Sequence, residues 1–216
     1  MVLFGIVGEL GAGKTLTLTY LGWKHWFTRR QKIYANYHLY KIPYIYVDGF
    51  DKFAQMRNGF VCMDELWLLA DARTSRATKN RIVANILAKS RKRSLTIAFT
   101  AQVISSIDSR IRKIVDFISY PIMSPNEDFV KALIFRGSKA NNGSFMKQIY
   151  FKTELFMTMY RTEEEIEMEE ESKTPLRFCF QVDKDSEPQY FDTWEEADKA
   201  GEQWWTENYE TLKGKI

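Results

Sequence analysis

The segment "GELGAGKT", Gly8 to Thr15, follows the apolar run "VLFGIV" and fits G-x-x-x-x-G-K-T in full. A short apolar run that feeds a glycine loop reads as a buried parallel strand. The residues after it, "GKTLTLTYLGWKHWFTRR", space their apolar side chains as a helix does and end on basic residues, which suit a helix C-terminus. A strand, a glycine turn and a helix in that order form a phosphate cradle. Glycines let backbone N–H groups converge without Cβ interference, and the helix adds its positive end. Gly8, Gly11, Ala12, Gly13, Lys14, Thr15 and Leu16 are therefore the expected nucleotide-binding residues. Lys14 is expected on the β- and γ-phosphates, and the Thr15 hydroxyl on Mg²⁺. The cofactors expected are ATP and Mg²⁺.

Such a cradle needs acids beside it. "FVCMDE" places Asp64 and Glu65 directly after four apolar residues, as the end of a second buried strand. Asp64 is expected to hold Mg²⁺ with Thr15, and the adjacent Glu65 to polarise the attacking water. A third apolar run, "LTIAFTAQ", ends in Thr100 and Gln102, polar groups placed to sense the γ-phosphate or orient water. The bland alternatives are a helix cap at Asp64 and ordinary polar strand ends.

Strands alternating with helices through residue 125 predict an α/β domain with a parallel central sheet flanked by helices. Beyond Pro125, "FVKALIFRGSKANNGSFMKQIYF" reads as two strands joined by a polar loop with an Asn-Gly turn. The run "EEEIEMEEES" is a solvated linker on composition, with a docking tail or a gate over a basic channel as the other readings. After Pro175, two short strands and a helix capped by Thr193 predict a small ββα appendage, with Trp194, Trp204 and Trp205 as its core. The expected organisation is a P-loop domain over 1–161, an acidic linker over 162–174 and the appendage over 175–216. Aromatic residues in strands are expected to be core rather than base-stacking platforms. No apolar stretch is long enough for a membrane span and no signal segment is visible, so a cytoplasmic setting is expected. Cys62 and Cys179 do not form a metal-ligand pattern.

The net charge of +3 conceals a division. Residues 1–161 carry 25 Lys and Arg against 11 Asp and Glu, whereas 162–216 carry 6 against 17. Between Arg73 and Lys113 the only acid is Asp108. A basic body points to a polyanionic partner whose phosphates are gripped without regard to sequence. Arg73, Arg76, Lys79 and Arg81 are the expected DNA contacts, and Lys139, in the loop "RGSKANNGSFMK", is a second candidate for lining a channel.

Taken together, the P-loop, "FVCMDE", "SRKRSLTIAFTAQ" and "IDSRIR" resemble the FtsK–HerA superfamily of DNA-pumping ATPases. The closest likeness is to the small genome-packaging ATPases of membrane-containing icosahedral viruses. It covers roughly residues 1–125. The resemblance implies a RecA-like (ASCE) fold, a hallmark Gln at Gln102, and a homo-oligomeric ring of five or six copies. It also implies an arginine reaching into the neighbouring subunit, which "SRK" places at Arg91, with Arg93, Arg110 and Arg112 as alternatives. The function implied is packaging of double-stranded DNA into a capsid, with a capsid or portal-vertex protein as partner, in the host cytoplasm or on the procapsid. Two other readings stand beside it: an assembly or secretion ATPase similar to the zonula occludens toxin family of filamentous phages, and a nucleotide-gated scaffold with little turnover.

Overall fold

The computed structural model describes residues 2–65, 90–106, 109–137, 144–161 and 174–216. Within them lie ten strands of one sheet, in the order β10-β9-β3-β2-β4-β5-β1-β6-β7-β8. The ranges are β1 Leu3–Val7, β2 Lys32–Ala35, β3 Tyr44–Tyr46, β4 Gly59–Met63, β5 Leu95–Ala101, β6 Phe117–Met123, β7 Phe129–Arg136, β8 Ser144–Lys152, β9 Phe178–Phe180 and β10 Gln189–Phe191. Strands β1 to β6 pair in parallel, and antiparallel strands extend the sheet at both edges. The α-helices among the described residues are α1 (Lys14–Arg29), α2 (Ser109–Ile114), the single turn α3 (Glu154–Met157) and α4 (Trp194–Leu212).

The alternation of each strand sorts its side chains between two cores. Ile6, Ile33, Phe60, Cys62, Ala98, Val130 and Ala132 face α1, with its Leu16, Leu18, Trp23 and Trp26. Leu3, Val7, Val61, Met63, Ile97 and Phe99 face the other way, with Val115 and Ile118. Both faces of the central strands are buried, which is why "FVCM" and "LTIAF" read as continuous apolar runs rather than alternating ones. Gly22 brings α1 close to the sheet: a Cβ there would stand 2.9 Å from the Cys62 sulfur.

The elements expected over 175–216 are β9, β10 and α4. The Thr193 side chain accepts from the Glu196 N–H in a reciprocal capping box, as its sequence position foretold. They join the main body directly: β9 pairs with β3, so the strand ladder continues without a break. The expectation of a separate tryptophan core fails. Trp194 and Trp205 are buried in the same cluster as Trp23 and Trp26 of α1, where two short strands alone would leave them half wet.

Candidate nucleotide and metal site

The parallel strands bring their C-terminal ends to one rim of the sheet, and the polar residues of the sequence motifs collect there. β1 leads into the glycine loop, whose Gly8 N–H still donates to the Ala101 carbonyl at 3.3 Å. The loop then closes on Gly13, at φ 87°, immediately before α1. Gly13 makes no side-chain cap to the α1 N-terminus, which leaves the first N–H groups of the helix available to an anion. A Cβ at Gly13 would need the left-handed region and would meet Val130 Cγ2 at 3.1 Å, so only glycine fits without strain. Lys14 donates to the Glu9 carbonyl at 2.9 Å, curled over the loop that it would leave to reach a phosphate. Burial lowers its pKa, while Asp64 and Glu65 oppose that shift by favouring the cation.

Asp64 follows the last residue of β4. Its Oδ2 accepts from Thr15 Oγ1 at 2.8 Å, joining the two predicted metal-holding residues across the sheet rim. Its Oδ1 accepts from Thr100 Oγ1. That threonine, wholly buried on β5, also accepts from the Glu65 N–H at 2.7 Å. Burial raises the Asp64 pKa, and the hydroxyl hydrogen bonds counter it, as does the Lys14 charge. Glu65 sits at φ 49°, a left-handed turn that ends the strand. Its pKa is also raised, first by burial and then by the Asp64 carboxylate, with Lys14 acting the other way. An oxygen pair of hydroxyl and carboxylate suits a hard cation such as Mg²⁺. Gln102 stands exposed just past the end of β5.

Asn36 was not among the expected residues. It follows the last residue of β2 and is buried, and its side-chain amide bonds both backbone groups of Asp64. Nδ2 donates to the Asp64 carbonyl at 2.9 Å, and the Asp64 N–H donates to Oδ1 at 2.7 Å. The signal was present in "KIYAN", where a polar residue closes an apolar run as Asp64 and Thr100 do. Replacing Asn36 by Leu leaves two buried backbone groups of Asp64 without partners. We expect a loss of about 2–4 kcal/mol in stability and weaker metal–nucleotide binding. Calorimetric melting and nucleotide titration check this; an unchanged melting temperature with unchanged affinity would refute the role.

Other expected residues fall elsewhere. Arg93 donates to the Phe53 carbonyl at 2.5 Å, so its guanidinium is engaged within its own chain. The turn Ser90–Arg93, which carries Arg91, precedes β5 and lies at the rim opposite the glycine loop. The seven residues of β5 separate them by roughly 20 Å. Arg73, Arg76, Lys79, Arg81, Lys139 and the glutamate run lie outside the described residues.

The order β6-β1-β5-β4-β2, with β5 inserted between the P-loop strand and the acidic strand, defines a RecA-like P-loop NTPase fold of the ASCE type. The glycine loop follows β1 and Asp64 follows β4, on the two sides of β5. No protein-family model and no curated protein matches the chain. Among solved structures, the chain is similar to the N-terminal domain of zonular occludens toxin from Neisseria meningitidis, at 15% identity and a TM-score of 0.49, over 74% of this chain and 100% of that one. It is also similar to the genome-packaging NTPase B204 from Sulfolobus turreted icosahedral virus 2 in complex with AMP, at 13% identity and 0.48, over 68% and 98%. A third is the flagellar accessory protein FlaH from Methanocaldococcus jannaschii, at 16% and 0.43, over 69% and 84%. The fold assignment rests on strand order and register, not on these likenesses.

Proposed function

We propose that the chain is an ATP-hydrolysing motor that moves double-stranded DNA, working as a homo-oligomeric ring that packages a viral genome into a capsid. The single observation that carries the nucleotide chemistry is the Thr15–Asp64 contact, with Glu65 next in the chain. Lys14 leaves the Glu9 carbonyl and binds the β- and γ-phosphates, while N–H groups of the loop and of the α1 N-terminus hold their oxygens. Thr15 and Asp64 would hold Mg²⁺, which would supply neutralisation of phosphate charge. Glu65 aligns a water and takes its proton as the water oxygen bonds to the γ-phosphorus; the bond from that phosphorus to the β-bridging oxygen breaks, and ADP keeps the electron pair. Thr100 ties Asp64 to the Glu65 backbone and so fixes the two carboxylates relative to one another. Gln102, one strand over, is placed to respond to loss of the γ-phosphate. An arginine from a neighbouring copy, Arg91 in this reading, completes the site.

The DNA-packaging part rests on the basic stretch Arg73–Lys113, which follows the two acids closely in sequence, and on the superfamily resemblance of the motifs. A capsid or portal-vertex partner and a host-cytoplasmic or procapsid location belong to the same proposal. Steady-state ATP hydrolysis with and without duplex DNA, at two salt concentrations, tests it. Stimulation that collapses as salt rises is expected, since phosphate contacts weaken steeply with ionic strength. A rate indifferent to DNA would favour an assembly or secretion ATPase, or a nucleotide-gated scaffold.

A further inference from the structure

Strands β6, β7 and β8 form an antiparallel extension beside the P-loop strand; its second face is packed at β6, where Ile118 is buried, and opens toward β7 and β8 among the described residues. Val130, Ala132 and Phe151 are buried against the α1 side. The opposite face alternates with them and carries large side chains in solvent, a register shift beside Ile134 and Phe135 turning Phe145 onto it against Phe135. Phe129 is 44% exposed, Ile122 51%, Tyr150 52% and Phe145 57%. A sheet buried on one side normally turns polar residues outward; here aromatic rings stand among the outward residues. Their expected place in the core is the one sequence reading this region overturns.

The three strands carry no carboxylate, whereas they carry Lys131, Arg136, Lys147 and Lys152. Lys131 pairs with Tyr150 across the strands and holds its ammonium 5.8 Å from the ring centre. Phe129 is a diagonal neighbour of Tyr150, since Phe129 faces Lys152 and Lys131 faces Tyr150. Such diagonals lie about 7–8 Å apart. Phe145 stands five residues back along β8, roughly 17 Å away at strand rise. Lys131 and Lys152 alternate onto the ring-bearing face, whereas Arg136 and Lys147 fall on the α1 side with Val130 and Ile134, so among the described residues its strands offer spaced flat rings, two cations and no carboxylate.

We infer that this face is a platform for single-stranded nucleic acid, on which unpaired bases stack on Phe129, Tyr150 and Phe145 while Lys131 meets the phosphates. A polynucleotide brings both the π-faces and the negative charge that the surface lacks. A protein occupant would have to match the rings and also bring carboxylates for strands that have only cations. Duplex DNA keeps its bases stacked on one another, so the rings select the single strand. The platform goes beyond the duplex motor proposed above and does not depend on hydrolysis.

The test measures fluorescence anisotropy of labelled oligodeoxythymidylate and of a duplex of equal length, with the full chain. The wild type is expected to prefer the single strand. Replacing Phe145 and Tyr150 together by Ala should weaken single-strand binding about tenfold per ring. Duplex affinity and ATP hydrolysis should be unchanged, and Tyr150→Phe should bind as the wild type. Ultraviolet crosslinking of an oligonucleotide carrying 5-iododeoxyuridine, read by mass spectrometry, should mark peptides containing Phe129, Phe145 or Tyr150 without any substitution. Three results would overturn the inference: a folded double variant that binds the single strand as tightly as wild type, crosslinks confined to residues 66–93, or a wild-type oligomer that the double variant dissociates with single-strand affinity untouched. The last would assign the face to a second copy of the chain. Failure of the duplex motor would instead appear as hydrolysis indifferent to duplex DNA, a separate readout.

Discussion

Glu65→Gln is expected to bind ATP as tightly as wild type and to hydrolyse it about 10²–10⁴-fold more slowly, the usual worth of a positioned general base. The asymmetry follows from where the residue sits. In the proposed mechanism nucleotide binding draws on the glycine loop, Lys14, Thr15 and Asp64, and among the described residues Glu65 is hydrogen-bonded only through its backbone N–H, to Thr100. Glutamine keeps the length of the side chain and that backbone bond, but it cannot take a proton. The change also removes a carboxylate beside the buried Asp64, whose charge helps raise the Glu65 pKa, so the fold should be no less stable. Single-turnover hydrolysis and equilibrium nucleotide binding, measured on the same preparation, check both halves. A variant hydrolysing at wild-type rate would remove Glu65 from the chemistry, and one that failed to bind ATP would make it a binding residue.

Arg91→Ala should lower hydrolysis by about 10³–10⁵-fold, the range found for arginines that reach a transferring phosphate. Mixing it with Glu65→Gln protein should then restore part of the rate. The turn Ser90–Arg93 opens β5 while the glycine loop closes β1, so the two lie at opposite rims of the same sheet. Roughly 20 Å of strand separates them, more than a side chain spans. In the proposed ring, an arginine in that turn would reach only the nucleotide of another copy. In a mixed assembly some seams pair an intact Glu65 with an intact Arg91, and those seams turn over. Rescue on mixing is the signature, because two variants of a site built within one chain cannot complement. Arg93 serves as the internal control: its bond to the Phe53 carbonyl makes Arg93→Ala a stability variant that should not take part in rescue.

Much of the rim was readable because its chemistry is local in sequence. The glycine loop, Lys14 and Thr15 are contiguous, and Asp64 and Glu65 end a run apolar enough to be a strand buried on both faces. The capping box at Thr193 and Glu196 was equally legible, since it spans one helical turn. What was missed depends on lateral neighbours. Asn36 joins the site only because β2 lies beside β4, an order that no residue near position 36 states. Thr100 could be placed at a strand end, but its bonds to both Asp64 and Glu65 follow from the insertion of β5 beside β4. The same cause explains Trp194 and Trp205, which read as a small separate core until β9 paired with β3 and brought α4 onto α1. Phe129 and Tyr150 read as core because strand periodicity reveals two faces without saying that these rings would stand exposed on one of them.

The central claim is that Thr15 and Asp64 together hold a metal ion against a bound nucleotide. Electron paramagnetic resonance of Mn²⁺, titrated into the protein with a non-hydrolysable ATP analogue, tests it most directly. The account predicts one bound ion per chain that requires the nucleotide and disappears in both Thr15→Val and Asp64→Asn. Wild type and both variants binding Mn²⁺ alike, or wild type binding none, would contradict it.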